Sequence, residues 1–387
     1  MNPLARHYSR FRVAERILLT GHSHQAWPDA AFDAQQRAWL DAAEFVDDKW
    51  QVAETRAAEV REGFARLLGD APDNIALGQN THELVTRLWS ALPLRDRPRL
   101  VSTDAEFHSL RRQLDRLAES DLLKIVRVPG TPVDTLAERL AEVTDDRTAC
   151  VMVSSVQYET AAIVPHLDVV AEACAKAGAE LLVDVYHHLN VVPLDIRTAG
   201  LGNAFMTGGG YKYCQLGEGN AFLRVPPGRR WRPVLTGWFA EFAALEKPVA
   251  GEVSYGPGAS AFAGATYDPT SHYRAAAVFA FHSQQALTVN RLREISKGQV
   301  ARLKERIEDL DVDPGLLRVE PMPDERRAGF VALRTSRAVD ITRALRNRGV
   351  MTDARGDILR LGPAPYLDDS QLDEGVSALA EVIRTYG

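Results

Sequence analysis

Apolar residues recur at helical spacing from about Ala30 to Leu68, at Phe32, Trp39, Phe45, Val52, Val60, Phe64 and Leu67. That pattern predicts two long helices. A short apolar strand follows at 75–77, then Gly78-Gln79-Asn80-Thr81 ahead of a helical run over 83–90. Beyond it, strand-like segments at 100–102, 123–128, 149–154 and 180–185 alternate with helix-like segments at 110–118, 133–143 and 167–177. Such alternation predicts a mostly parallel sheet covered by helices on both faces, an α/β fold. Residues 226–269 are rich in Gly, Pro and aromatics without a clear period, and read as long loops around a site. One long helix is expected over 273–308. The remainder reads as a small α/β domain: strand 330–334, helix 338–348, strand 358–361, helix 369–386. The boundary between the two domains is expected inside or near the long helix.

Composition narrows the class. At 387 residues the chain exceeds one small core, so a large and a smaller domain are expected. With 45% hydrophobic and 25% charged residues it has the balance of an ordinary globular protein. The net charge of -6, with arginines set among acids as in Arg111-Arg112 near Asp115, argues against a nucleic-acid partner. The three cysteines, Cys150, Cys174 and Cys214, are widely spaced and lack zinc-site spacing, so no metal and free thiols are expected. No apolar run approaches the roughly 20 residues that span a bilayer, and the charged first 16 residues have no apolar leader core. A cytoplasmic protein without a membrane partner is the expectation.

Three features can be joined into one mechanism. Gly78-Gln79-Asn80-Thr81-His82-Glu83 lies between strand and helix, with Thr81 as the expected N-cap; it is either an anion site or an ordinary cap. Asp184 closes the apolar run Leu181-Leu182-Val183, where open α/β sheets bind ligands; it can face a protonated ring nitrogen or cap a turn. Lys212 follows Gly208-Gly209-Gly210, which leaves room for a bulky group, and lies between Tyr211 and Tyr213. Burial there favours a nucleophilic amine, whereas a lone lysine of this kind equally suits phosphate binding or a surface position. The order anion site, strand-end acid, then lysine 28 positions later is far more specific than any one of them.

Over residues 18–382 the chain resembles the class V aminotransferase group of fold-type I pyridoxal-phosphate (PLP) enzymes, and within it kynureninase. The resemblance rests on Asp184-Val185-Tyr186-His187, Val192-Pro193-Leu194 and Tyr211-Lys212-Tyr213, against the patterns D-x-x-H, V-P-L and S-Y-K-Y. Gly217, Gly219, Gln157-Tyr158, Thr160 and Ala105-Glu106-Phe107 add to it, as do Arg348-Gly349-Val350, Asp353, Arg355 and Asp357 to Arg360. It implies a seven-stranded, mostly parallel sheet in a large PLP-binding domain at 31–275. A small C-terminal domain at 276–387 would pack with an N-terminal segment, 1–30.

The resemblance also implies roles. Lys212 would hold PLP as a Schiff base and act as acid and base, Asp184 would pair with the ring nitrogen, and His187 would support it. Phe107 would stack on the ring; Asn80, Thr81, His82, Tyr211 and Trp238 would lie at the cofactor, and Thr266 at the phosphate of a partner subunit. A homodimer with composite sites follows. Arg360 would grip the α-carboxylate of an amino-acid substrate, a task suited to its planar fork. The implied reaction is kynureninase-like cleavage of a Cβ–Cγ bond, releasing alanine; the alternative is a class V aminotransferase or a β-eliminating, cysteine-desulfurase-like lyase on another amino acid.

Departures fall on positions facing the substrate. Ala240-Glu241 stands where kynureninase carries Gly-His, Glu159 replaces a tyrosine, and Gly21-His22-Ser23-His24-Gln25 replaces G-N-S-L-G. Ser23 survives there, and His22, His24 and Glu241 are expected to line a pocket for a more polar side chain.

Overall fold

The computed structural model describes residues 2–246 and 249–386. Met1 and Gly387, the outer ends of the expected first and last segments, lie outside the described residues, as do Lys247 and Pro248. The chain opens with short 3-10 turns and β1 (Ile17–Leu18), then α1 (Asp29–Phe45) and α2 (Lys49–Leu68). An alternating run follows: β2 (Ile75–Gly78), α3 (Thr81–Ala91), β3 (Arg99–Thr103), α4 (His108–Glu119), β4 (Lys124–Val128), α5 (Leu136–Glu142), β5 (Thr148–Ser154), α6 (Leu167–Ala177) and β6 (Glu180–Asp184). Then come β7 (Phe205–Gly209), β8 (Ala221–Arg224), α7 (Thr270–Gln284) and α8 (Val289–Glu308). The last part holds β9 (Arg318–Val319), β10 (Val331–Arg334), α9 (Ala338–Asn347), β11 (Val350–Met351), β12 (Asp353–Arg355), β13 (Ile358–Leu361) and α10 (Asp369–Ile383).

The seven-stranded sheet has the order β2-β8-β7-β6-β5-β3-β4. It is parallel from β4 through β3, β5 and β6 to β7, and antiparallel where β8 joins β7 and β2. Because side chains alternate along a strand, β5 sends Val151 and Val153 to one face and Cys150 and Met152 to the other. The first pair packs with Val60, Phe64 and Leu68 of α2 and Val278 of α7; the second packs with Leu84, Leu88 and Trp89 of α3. Burial on both faces explains why these strands read as near-continuous apolar runs.

A second core joins both ends of the chain. Leu4, Tyr8, Val13, Ile17 and Leu19 pack with Leu303 of α8, Leu333 of β10, Ile341 of α9 and Leu372 and Leu379 of α10. β1 pairs in parallel with β11, with Ile17 opposite Val350, beside an antiparallel sheet of order β12-β13-β10-β9.

Two expectations are corrected here. The single helix expected over 273–308 is two, because Thr288 caps α8 by accepting from the Arg291 N–H and Ala286 takes a positive φ of 51°. A threonine hydroxyl offers the backbone an alternative to continuing the helix, and so breaks it. β7 and β8 were not expected, since β7 ends in the glycines that mark the lysine loop and β8 is only four residues long.

Candidate active site

The site forms where β3, β5, β6 and β7 end. α6 stops at Gly178 in the left-handed region (φ 67°), and the chain turns directly into the fully buried β6, which delivers Asp184 at its end. Asp184 pairs in register with Ser154 of β5 and Thr207 of β7. It is 9% exposed, and its Oδ1 accepts the Tyr186 N–H at 2.8 Å. Burial pushes its carboxyl above the ordinary value, and the nearby Lys212 charge pulls against that rise.

After β7 the chain folds back on itself, with Gly210 N–H donating to Asn220 O at 2.8 Å and Leu216 N–H to Gly210 O at 2.9 Å. A side chain at Gly209 would sit 2.2 Å from the Tyr186 hydroxyl, so only glycine lets this loop close. The loop carries Lys212 inward to 4% exposure. Its Nζ lies 2.8 Å from His187 Nε2, and 4.8, 5.1 and 5.7 Å from the ring centres of Tyr186, Phe107 and Tyr211. Burial lowers the ammonium to about 7, opposed by the Asp184 carboxylate. Burial and the Lys212 charge hold the His187 imidazole well below its usual range, so it is neutral and Nε2 can accept from the amine.

A cavity of about 240 Å³ brings together Asn80, Thr81, His82, Phe107, Asp184, His187, Tyr211 and Lys212. Asn80, not Thr81, is the N-cap of α3, because its side chain accepts the Glu83 N–H at 3.0 Å; Thr81 is instead the first helical residue. Thr81 and His82, whose first-turn N–H groups have no intrahelical acceptor, line the cavity at the positive end of the helix dipole.

Other expected site residues do not line this cavity. Trp238 and Thr266 meet each other, Nε1 to Oγ1 at 3.2 Å, on the exposed surface and not in the lining of this cavity. Glu241 does not line the cavity, since its carboxylate accepts the Ser254 N–H at 2.7 Å and closes its own loop. His22 does not line it either: it is wholly buried against Asp353. Arg360 is 2% exposed, with Nε donating to Asp353 at 2.9 Å, Nη2 donating to the same carboxylate, and Nη1 donating to Tyr158 O. His24 stacks on Tyr211 at 4.9 Å, lies 3.6 Å from Glu218, and meets Ser23 Oγ at 3.2 Å.

The site also holds residues that sequence reasoning passed over. Gln79, Ser154, Tyr186 and Glu218 line the cavity. Behind it, Glu106 accepts from Thr103 Oγ1 at 2.8 Å and from Ser154 Oγ at 2.6 Å, and burial with the Asp184 charge raises it to about 7. The available signal was an acid between apolar neighbours, Ala105 and Phe107. Among the described residues no cluster of His, Cys, Asp and Glu could hold a metal ion, and no helix is long and apolar enough to cross a membrane.

These donors fit PLP: a buried strand-end carboxylate for a ring nitrogen, an aromatic face, a helix N-terminus for a phosphate, and a buried amine for an aldehyde. Residues 292–379 match the family described as the kynureninase C-terminal domain. Kynureninase of Burkholderia mallei is 28% identical over 99% of this chain and 93% of its own. An uncharacterized aminotransferase of Bacillus subtilis is 22% identical over 88% of both chains. Among solved structures, the cysteine desulfurase of Thermococcus onnurineus superposes with a TM-score of 0.82 at 16% identity, covering 100% of this chain and 99% of that one. The cystine C–S lyase C-DES superposes at 0.79 and 17%, over 96% and 98%. Fold, site and relatives together define the class: the chain is a PLP-dependent enzyme of the class V aminotransferase type acting in amino-acid chemistry. Within that class its likeness is to kynureninase.

Proposed function

We propose that this protein holds PLP as a Schiff base on Lys212 and hydrolyses the Cβ–Cγ bond of a kynurenine-like α-amino acid, releasing alanine. The observation that carries the reading is the buried Lys212 amine, bonded to neutral His187 in the same cavity as Asp184. When bound, PLP supplies an electron sink for negative charge at the substrate Cα. Asp184, buried at the end of β6, would keep a proton on the ring nitrogen. Lys212, with its lowered proton affinity, takes the Cα proton as a neutral amine near pH 7 and returns it. His187 Nε2 holds that amine in place. Thr81, Tyr211 and the first turn of α3 hold the phosphate, and Phe107 covers the ring. Arg360 takes the substrate α-carboxylate.

Kynurenine and water should yield anthranilate and alanine, read by anthranilate fluorescence and amino-acid analysis. Pyruvate or a keto acid instead would assign a β-eliminating lyase or an aminotransferase. A desulfurase that carries sulfur on its own thiol is disfavoured. Cys150, Cys174 and Cys214 are all buried, and burial pushes every one of these thiols up, away from the reactive thiolate.

The amine makes a pH prediction. Only the neutral form attacks an aldehyde, so a lysine lowered to about 7 offers that form at neutral pH. Combination of the cofactor-free protein with PLP should therefore accelerate as pH rises and level off above about pH 7. An ordinary lysine would keep accelerating to about pH 10. Stopped-flow absorbance decides between them.

The proposal includes a homodimer with composite sites. It is supported by apolar side chains left in solvent on the 226–269 loops, Val234 at 80% and Leu235 at 53% exposure, and by Trp39 and Leu40 of α1. The backbone N–H groups of Val234 and Leu235 are anchored on Ser90, so their side chains can change without loss of the loop. Val234→Glu with Leu235→Glu should weaken self-association by about 100-fold. Sedimentation velocity would show monomer where the parent protein is dimeric, and PLP affinity should fall with it as the partner's phosphate contact is lost.

A further inference from the structure

The departure at His22 acquires a role once its surroundings are traced. Residues 19–21 run beside the exit of β13: Leu19 N–H donates to Met351 O at 2.8 Å, Gly362 N–H to Leu19 O at 2.8 Å, and Gly21 N–H to Gly362 O at 2.7 Å. Two glycines permit this approach. A Cβ at Gly21 would lie 2.4 Å from Pro363 O, and one at Gly362 would lie 2.2 Å from His22 Nδ1. The imidazole therefore fills a slot with no exposure at all, its ring centre 4.6 Å from that of Phe330.

In that slot its ring has one polar partner. His22 Nε2 lies 2.8 Å from Asp353 Oδ1, while Nδ1 has none. Burial and the Arg360 charge lower the imidazole to about 4, so it is neutral, and with a carboxylate facing Nε2 the proton sits there and is donated. Asp353, held well below the usual carboxylate range by His22 and Arg360, accepts on the other side from Arg360 Nε and Nη2. A guanidinium has five N–H donors. Nε, Nη2 and Nη1 spend three on Asp353 and Tyr158 O, leaving one N–H each on Nη1 and Nη2. The Arg360 charge reaches both Lys212 and His187.

We propose that His22 is a positioning residue for substrate recognition: through Asp353 it fixes the Arg360 guanidinium so that its two remaining N–H groups are held for the α-carboxylate of an amino acid. This rests on the reading of Arg360 given above. The segment before α1 thereby completes the substrate site from outside the sheet.

The test titrates PLP-loaded protein with L-alanine and with L-alaninamide, which lacks the carboxylate, and follows the visible absorption change. His22→Ala should weaken L-alanine binding about tenfold, the scale of one charge-assisted hydrogen bond, and change L-alaninamide binding less than about twofold. His22→Gln, which keeps an N–H donor at similar reach, should restore most of the loss. Should His22→Ala fail to fold, as judged by the thermal midpoint of the cofactor-free protein, His22→Asn fills part of the slot without reaching Asp353 and should show the same discrimination. Equal weakening for both ligands, or for neither, overturns the proposal. Arg360→Lys in parallel separates the two readings. If it leaves L-alanine binding unchanged, the carboxylate role of Arg360 falls and the proposal with it; if it weakens binding and the His22 variants do not, only the role of His22 falls.

Discussion

Lys212→Ala is expected to abolish the visible Schiff-base band on addition of PLP and to lower turnover by about 10³-fold. Two proposed functions vanish in one substitution: the Schiff-base amine, on the only lysine lining the cavity among the described residues, and the base for the Cα proton. The side chain is buried beside neutral His187 and three aromatic rings, where no water-borne base can take its place easily. Stability should move the other way or hardly at all. Burial disfavours the ammonium, so Lys212 binds fewer protons folded than unfolded between about pH 7 and the ordinary lysine range near 10. Across that window the parent protein gains stability with rising pH, and the alanine variant should lose that part of the slope. Denaturant unfolding of the cofactor-free proteins at several pH values measures it. A variant that keeps both the band and the turnover would remove the lysine from the mechanism.

Asp184→Asn should leave the band and remove the turnover, by about 10²- to 10³-fold, the scale of losing one preorganised charge at a reacting centre. An amide can hold its place at the end of β6, since the Tyr186 N–H still finds an oxygen to donate to. It cannot keep a ring nitrogen protonated. The change should also be felt at Lys212, whose proton affinity the Asp184 charge raises. With that charge gone, the pH above which PLP combination levels off should drop below about 7. Band position and single-turnover rates, measured on both variants, separate covalent capture from electronic support. If Asp184→Asn retained full turnover, the carboxylate would be a turn cap and nothing more.

Much of this was legible in the chain because the decisive residues sit where local rules speak. An acid closing an apolar run and a lysine after a glycine triplet mark Asp184 and Lys212, whereas Thr81, read as the N-cap, is already helical and the cap is Asn80. What could not be read depends on contacts distant in sequence. His22 and Asp353 are 331 positions apart, and nothing near His22 distinguishes a buried partner of Asp353 from a pocket wall. Glu241 was misplaced for a similar reason, its partner Ser254 lying across an aperiodic loop. Glu106 stayed unread because its partners Ser154 and Asp184 reach it only when β3, β5 and β6 align. The break between α7 and α8 was missed because apolar spacing continues through it, and a single threonine hydroxyl decides the matter.

The parallel pairing of β1 with β11 has a consequence for how the molecule comes into being. During synthesis β1 leaves the ribosome more than 300 residues ahead of its partner β11, at roughly 5–20 residues per second. Ile17 and Leu19 are apolar, so for that interval they are exposed to chaperones or to misplaced pairing. Only when β11 and β12 emerge can β1 dock and bring His22 onto Asp353. The contact between His22 and Asp353 thus cannot form until β12 has been made.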